Sequence, residues 1–464
     1  MRIKEQLGIT ALVVLSMIAG FATRSHVNAR DPETRVLQEQ KDSRQLSAYA
    51  PNSPTDVGGR SDVDLRPLEV FYSALQHVRE DYVEPIKKSQ EHELTYSALK
   101  NMLDSLRDPQ TRFLDPEQVA LIQQARTGKF EGIGASLWVR QAKQGGITEE
   151  QVVVAGTFSG SPARKVGLQT GDVITELDGK TILPYDPFQR VEKLVTATRN
   201  GKLTPEKLQK LLESENDRIK NGITFQKAID QLTGKDGKEA TLTVVRAGVK
   251  TPLKIKVQPA QTVVDPVTFA RISSEVGYIH VNLLIDETGP AVAEALASFK
   301  HDGIKRLVLD LRDCPGGSLE SAQAVAGDLI ADRRLSILQL PRGKQRTLNA
   351  ILPQGRTPWT GSVAVVVNRG TSGLTEALAA AIHDGINAKL VGSATFGDSS
   401  QQTLVALRDG SAVTMTTGKY LTPKGLDYQG KGLTPDIKVA SGASEIPPAN
   451  DPVVVKAIET LTKG

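Results

Sequence analysis

Two short segments carry side chains that could attack a carbonyl carbon. One is "DLRDCPGGS", which holds the thiol of Cys314, and the other is "NRGTSGLTEALAAAI", which holds the hydroxyl of Ser372. A thiol or hydroxyl becomes an efficient nucleophile only beside a group that takes its proton. His280 is the nearest candidate base for Cys314, and Lys419 could reach the same region. The alternatives are structural: a packed thiol and a lysine on the face of a strand.

The same segments carry glycines and a helix start that could present backbone N–H groups. Gly316 and Gly317 permit close approach of the backbone, and the N-terminus of a helix attracts anions. We therefore expect oxyanion-type donors at Gly316, Gly317 and Leu374. Gly373 and Glu376 have the spacing of a capping box, with Gly373 as the N-cap.

The elements that must position these groups alternate between strands and helices from residue 261 onward. Apolar runs such as "YIHVNLL", "RLVLDL" and "SVAVVV" predict buried strands, and "GPAVAEALASF", "SLESAQAVAGDLI" and "TEALAAAIHDGI" predict helices. This alternation favours an α/β sheet with helical crossovers. In such sheets the active crevice lies beyond the carboxyl ends of the strands, where both segments begin.

The preceding part of the chain has a different pattern. Residues 65–122 have helical periodicity, and residues 128–182 read as short strands interrupted by glycine and aspartate. Ser161 and Thr204, each followed by proline, predict helix N-termini. Residues 183–223 are charged and helical, and "EATLTVVRAGVKTPLKIKVQP" predicts a hairpin.

The N-terminus reads as an export signal. Arg2 and Lys4 precede the uncharged stretch "LGITALVVLSMIAGFA", and "VNA" provides small residues for cleavage. The alternative is an uncleaved membrane anchor, for which the stretch is short. We expect residues 1–29 to be a signal peptide or anchor and residues 30–64 to be a flexible linker.

Composition limits the remaining possibilities. The 464 residues carry a net charge of +4 from 57 basic and 53 acidic side chains, which gives no reason to expect nucleic acid as a partner. Cys314 is the one cysteine, so no disulfide can form within the chain. The histidines show no metal-binding spacing, and we expect neither a metal nor a cofactor.

Taken together, these segments resemble the carboxyl-terminal processing, or tail-specific, serine peptidases of family S41 over about residues 65–461. The resemblance is carried by several motifs in order: "FEGIGASL", "SGSPARKVGLQTGDVITELDG", "LTVVRAG", "GYIHVN", "LVLDLRDCPGGSLESAQAVAG", "GSATFG", "DGSAVTMTTGKYLTPKG" and "GKGLTPDI". The first three resemble the family's PDZ domain and the others its protease core.

The resemblance implies a serine nucleophile, a lysine general base and a supporting glutamine. The family's reactive serine falls on Gly373, its lysine on Asp398 and its glutamine on Gln402. Gly373 and Asp398 are 25 residues apart, the spacing that the family's serine and lysine show. Glycine has no nucleophile, so two of the three catalytic positions lack the required chemistry. Recruitment of Ser372 is the alternative.

The implied architecture is a multidomain chain that combines α/β and β structure. It has an N-terminal helical region, a PDZ domain over residues 123–260 with a helical insertion at 183–223, an S41-type α/β protease core over 261–442 and a C-terminal helix in 443–464. Thr233 replaces an arginine common in the PDZ domain, and Cys314 replaces an asparagine before "PGG".

The expected function is that of an exported pseudoprotease. The loop Gly132, Ile133 and Gly134 is the candidate site for a peptide carboxylate. The expected partners are protein C-termini or unfolded peptide segments, and other proteases or envelope proteins. We expect a periplasmic or extracytoplasmic location, with membrane contact only through an uncleaved N-terminus. The alternative is an active endopeptidase that uses Ser372.

Overall fold

The structure is a computed structural model that describes residues 66–462, except 107, 109, 145–146, 184–190, 192–193, 197, 202, 235–236, 332 and 440–445. The predicted signal and linker therefore lie outside the described residues. Within the described part of the chain, no helix is long and apolar enough to cross a membrane.

The helices are α1 Arg66–Asp81, α2 Lys88–Asp104, α3 Pro116–Ala125, α4 Pro162–Lys165, α5 Pro205–Asn221, α6 Phe225–Leu232, α7 Thr288–His301, α8 Leu319–Ile330, α9 Leu374–Ile386 and α10 Pro452–Thr462, with short 3-10 turns at Pro341–Gly343 and Pro448–Asn450. The strands are β1 Arg112–Leu114, β2 Lys129–Gly132, β3 Ala135–Gln144, β4 Ile147–Thr157, β5 Val173–Leu177, β6 Lys180–Leu183, β7 Ile223–Thr224, β8 Ala240–Val245, β9 Leu253–Val257, β10 Ala260–Val263, β11 Val267–Arg271, β12 Val276–Val281, β13 Arg306–Asp310, β14 Arg334–Gln339, β15 Gln345–Asn349, β16 Ser362–Val367, β17 Lys389–Gly392, β18 Ser400–Ala406, β19 Ala412–Leu421 and β20 Ile437–Lys438.

A six-stranded sheet in the order β11-β12-β13-β16-β17-β20 forms the centre of the C-terminal half. Its strands are parallel except for the edge strand β11. Alternate residues of β13 face opposite layers, as strand geometry requires. Leu307 and Leu309 pack with α7, α8 and α9, whereas Val308 packs with α10. The expected α/β layering is therefore present, with helices on both faces.

A second, largely antiparallel sheet lies beside this core. It joins β1, β19, β14 and β15 in that order, and β18 pairs with β19. Because β1 pairs with β19, the segment after α2 is attached to the far C-terminal part of the chain. This pairing brings Asp108 and Gln110 beside residues near position 400.

Residues 133–257 form a third body, here called the β-rich unit. Its strands β3, β4, β5 and β6 follow one another in the sheet, with β8 paired to β5 and β9 paired to β8. Ser161 caps α4 and Thr204 caps α5 through their side-chain oxygens, as the sequence predicts. The predicted hairpin is β8 and β9. Helix α5 lies between β6 and β7, which pair in parallel.

Candidate functional site

The two nucleophile-bearing segments leave neighbouring parallel strands. Strand β13 ends at Asp310 and β16 at Val367, and the two strands pair in register from Arg306 with Ser362 to Asp310 with Val366. Their carboxyl ends therefore lie at one edge of the sheet. The loops are joined there, because Ser372 N donates to Cys314 O at 3.1 Å.

Gly373 lies opposite Asp398. Gly373 is the N-cap of α9 with φ 61° and ψ −130°. A Cβ atom at this position would lie 3.5 Å from Pro315 O and 3.9 Å from Asp398 Oδ2. The positions that the resemblance assigns to a nucleophile and its base are thus within reach of each other, with a carboxylate facing a glycine.

Asp398 is held in a buried polar environment. Its Oδ1 accepts hydrogen bonds from Ser400 N at 3.0 Å and Gln110 Nε2 at 3.1 Å. Burial raises the pKa of Asp398 above its ordinary value, although these hydrogen bonds lower it, and the charge of Asp108 raises it further. A carboxylate in this position cannot reproduce the chemistry of a lysine amine.

Gln402 reaches Asp398 only through a second glutamine. Its Nε2 donates to Gln110 Oε1 and, at 2.8 Å, to Thr416 Oγ1. Gln110 in turn donates to Asp398. Gln110 is not among the residues that the sequence motifs indicate. Because the contact spans 288 positions, no local pattern indicates it.

Glu376 fixes the loop that carries Asp398. Its buried carboxylate accepts from the hydroxyl of Thr395, from Gly397 N at 2.8 Å and from Asp398 N at 2.8 Å. Burial raises the pKa of Glu376 to about 8, against the lowering effect of these donors. The capping box expected between Gly373 and Glu376 is therefore wrong, because the side chain points to this loop and not to its own helix start.

Ser372 and Cys314 are both fully buried. Ser372 Oγ has no hydrogen-bond partner, and so no base is positioned to take its proton. Burial raises the pKa of Cys314 to about 11, and its sulfur accepts from Thr375 Oγ1 at 3.1 Å. His280 Nε2 instead bonds the carbonyl oxygen of Arg312 at 3.1 Å. The suggested pair of Cys314 and His280 is not formed.

Lys419 is an exposed residue of β19 paired with Ser400 and Gln339. This position matches the expected strand-face lysine.

The candidate oxyanion donors differ in their surroundings. The backbone of Gly316 lowers the pKa of Cys314, against the larger effect of burial, so this residue lies close to the sulfur. A Cβ at Gly316 would lie 3.3 Å from Leu374 N, which places the loop directly against the start of α9. A Cβ at Gly317 would lie 2.0 Å from Leu284 O, so this glycine is required for close packing of two backbones.

The backbone of the candidate carboxylate loop already forms hydrogen bonds within the protein. Ile133 N donates to Leu232 O at 3.0 Å, and Ile133 O accepts from Ala163 N at 2.8 Å. A Cβ at Gly134 would lie 2.4 Å from the Cβ of Ser161, and one at Gly132 2.7 Å from Leu232 O. The central amide of the loop is therefore not available to a peptide carboxylate in this structure.

The β-rich unit contacts the loops of the candidate site. The ring of Trp138 lies 4.9 Å from that of Phe396, next to Gly397 and Asp398. Asp313 accepts from Arg164 Nη2 at 3.1 Å and from Thr170 Oγ1 at 2.7 Å. Among the residues that the structure describes, no cluster of three or more His, Cys, Asp or Glu side chains could hold a metal ion.

Comparisons with known proteins identify the fold that carries this site. Residues 275–439 match the family described as Peptidase family S41. The chain is 28% identical over 387 residues to a "Probable CtpA-like serine protease" of Staphylococcus aureus (strain COL), covering 82% of this chain and 67% of that protein. The corresponding protein of Staphylococcus haemolyticus is 28% identical over 382 residues, with 82% and 65% covered.

A solved structure of a C-terminal processing protease is also similar to this chain. The photosystem II D1 C-terminal processing protease has a TM-score of 0.58 and 25% identity, covering 80% of this chain and 86% of that chain. These findings define a serine-type, C-terminal processing protease fold. Residues 275–439 match peptidase family S41, and the resemblance of this chain to the carboxyl-terminal processing peptidases is confirmed at that level.

Proposed function

We propose that this chain is an exported S41-fold pseudoprotease that binds protein C-termini or peptide segments without cleaving them. The observation that carries the proposal is Gly373 facing Asp398. A serine peptidase needs an oxygen nucleophile and a base that takes its proton, and a lysine can be that base only while it is neutral. Gly373 has only a hydrogen atom as its side chain, and Asp398 has a carboxylate.

The neighbouring side chains do not replace the missing pair. The hydroxyl of Ser372 is buried without a partner, and the thiol of Cys314 is protonated at neutral pH because its pKa is about 11. A thiolate is required for attack by cysteine. The scaffold around these positions nevertheless retains helix α9, a loop at Asp398 that Glu376 fixes and a glycine-rich turn.

Peptide binding is supported by the β-rich unit, which we interpret as a PDZ domain. Strand β3 has one neighbour, β4, and its other edge is unpaired within the described residues. A peptide can add to such an edge by main-chain hydrogen bonds. Because Trp138 of β3 contacts Phe396, a peptide on this edge would run toward Gly373. We also propose that the N-terminal segment, residues 1–29, directs export of the chain.

The alternative is an active C-terminal processing endopeptidase in which Ser372 has taken over as nucleophile. One observation favours it, since the Ser372 hydroxyl is not committed to any hydrogen bond. The burial of Ser372 argues against this alternative, because a substrate carbonyl cannot reach a fully buried oxygen without movement of the α9 N-terminus.

The test is proteolysis of an unfolded model protein with an apolar C-terminal tail. The natural chain is compared with Ser372→Ala and with a Gly373→Ser/Asp398→Lys double variant. We expect the natural chain to bind the tail and leave it intact. Cleavage that is lost in Ser372→Ala would establish the alternative.

The double variant asks whether the scaffold still supports catalysis. A serine fits at position 373, since its Cβ would have no neighbour closer than 3.5 Å. The positive φ costs about 1–2 kcal/mol for a residue with a side chain. Labelling by a fluorophosphonate probe gives a second readout, because it requires an activated hydroxyl. We expect labelling in the double variant and none in the natural chain.

A further inference from the structure

Two exposed arginines lie on elements that meet where the β-rich unit contacts the S41 core. Arg140 belongs to β3, and Arg369 lies in the loop that follows β16, four positions before Gly373. The pKa of Arg140 is lowered, first by burial and second by the positive charge of Arg369. The fold therefore holds two like charges close together beside the candidate site.

The backbone explains why they meet. Trp138 and Arg140 are two positions apart on one strand and so point to the same side of the sheet. Trp138 contacts Phe396, and Phe396 N donates to Thr371 O at 3.0 Å. On the next strand, Ala155 O lies 3.1 Å from where a Cβ of Gly370 would be. The side of β3 that carries Arg140 thus faces the loop that carries Arg369.

Within the described part of the chain, neither guanidinium has a carboxylate within ion-pair distance. Other arginines near this junction or in the core are paired with aspartates, as in Arg164 with Asp313, Arg312 with Asp310, and Arg356 with Asp328. Among the described residues, Arg140 and Arg369 form no ion pair and no side-chain hydrogen bond. Two adjacent cations without an anion repel each other, and a bound anion would remove that cost.

We propose that Arg140 and Arg369 form the carboxylate-binding site for a polypeptide that lies along β3 toward Gly373. The inference rests on the proposed peptide-binding function and names the group that is recognised. The central amide of the expected loop, Ile133 N, is already donated to Leu232 O. Two guanidinium forks suit a carboxylate well, since each can donate two parallel hydrogen bonds.

The carboxylate can come from the C-terminus of the peptide or from an acidic side chain near it. The test therefore uses the full chain and three fluorescein-labelled forms of one twelve-residue peptide with an apolar tail. One form has a free C-terminus, the second is amidated, and the third is amidated with a glutamate at its penultimate position. Fluorescence anisotropy gives Kd at low salt, where such contacts are strongest.

The variants are Arg140→Gln/Arg369→Gln and a control that loses the same charge elsewhere, Lys254→Gln/Arg408→Gln. Both control positions are exposed. We expect the arginine double variant to raise Kd for the free peptide about tenfold or more, and the control to change it less than about twofold. Amidation should weaken binding to the natural chain by a similar factor and have no further effect on the arginine variant.

Each outcome has a defined meaning. If the glutamate form binds the natural chain best and loses most in the arginine variant, the site takes an acidic side chain. If the natural chain binds the peptides and the arginine variant binds them equally well, the inference is wrong while the proposed function stands. If the natural chain binds none of them, both are overturned. Thermal unfolding checks that the variants are folded.

Discussion

Glycine at position 373 changes the chemistry of the site and leaves its backbone geometry available. At φ 61° and ψ −130° glycine is free of the steric cost that a side chain would bear. Under the proposed function, glycine in place of the family's serine removes the nucleophile without loosening the start of α9. Asp398 is likewise accommodated, because Gln110 and Ser400 N satisfy one of its oxygens. A binding site can therefore persist after the loss of a catalytic one.

The buried carboxyl of Glu376 should make stability depend on pH. Its pKa is raised from 4.5 to about 8, so the folded protein keeps a proton that the unfolded chain has lost between these values. The free energy of unfolding should therefore fall as pH rises from about 4.5 to 8 and level off above that. The slope from one such group is at most about 1.4 kcal/mol per pH unit.

Urea unfolding of the natural chain and Glu376→Gln between pH 5 and 9 measures this effect. The variant should lose most of the slope, whereas Glu131→Gln, at an exposed position, should keep it. If Glu376→Gln is too unstable to compare, Asp398→Asn should reduce the slope for the same reason, because burial also raises the pKa of Asp398. Equal slopes in all variants would contradict the role given to burial.

At the scale of elements, local sequence signals predicted helix starts well and distant contacts poorly. Ser161 and Thr204 each accept a hydrogen bond from the backbone of the first helical turn, and the proline that follows each of them suffices to indicate it. Glu376 had the correct spacing for a capping box but binds a loop 21 residues away. Gln110 acts across almost 300 positions. Periodicity carries no information about such partners.

The "PGG" loop contacts the segment after β12, and we expect substitutions at this contact to destabilise the core strongly. Gly317 has φ 142°, and a Cβ there would lie 2.0 Å from Leu284 O. Ser318 N donates to the same oxygen at 2.7 Å, so the two backbones cannot separate without losing a bond. Gly317→Ala should therefore destabilise the chain by about 3 kcal/mol or more.

Gly303→Ala is the matched control, since Gly303 also has a positive φ of 72° but no atom within 4 Å of its Cβ position. It should cost only about 1–2 kcal/mol. Chemical denaturation of both variants measures the difference. Similar losses in the two would mean that backbone conformation, and not the approach to Leu284, sets the requirement for glycine.

At the scale of the whole molecule, the β-rich unit touches the candidate site through few side chains. Trp138 packs on Phe396, and Arg164 and Thr170 bond opposite oxygens of Asp313. Asp313 also accepts from Asn368 Nδ2 at 3.0 Å, in the loop that leads to Gly373. One carboxylate thus joins the unit to both loops of the site, and any peptide held on β3 is presented to a fixed surface.

Removal of this connection should loosen the two loops without unfolding either body. The side chain of Arg164 is about 10% exposed, and its partner Asp313 is about 14% exposed, so water replaces the ion pair poorly. We expect Arg164→Ala to speed amide exchange in residues 310–318 and 368–372 by at least about tenfold, while the strands of the six-stranded sheet keep their protection. The adjacent Lys165→Ala, at an exposed position, is the control and should leave exchange unchanged. Hydrogen–deuterium exchange read by mass spectrometry measures both variants. Unchanged exchange in Arg164→Ala would contradict this role of the ion pair, and Trp138→Ala would then produce the loosening expected of it.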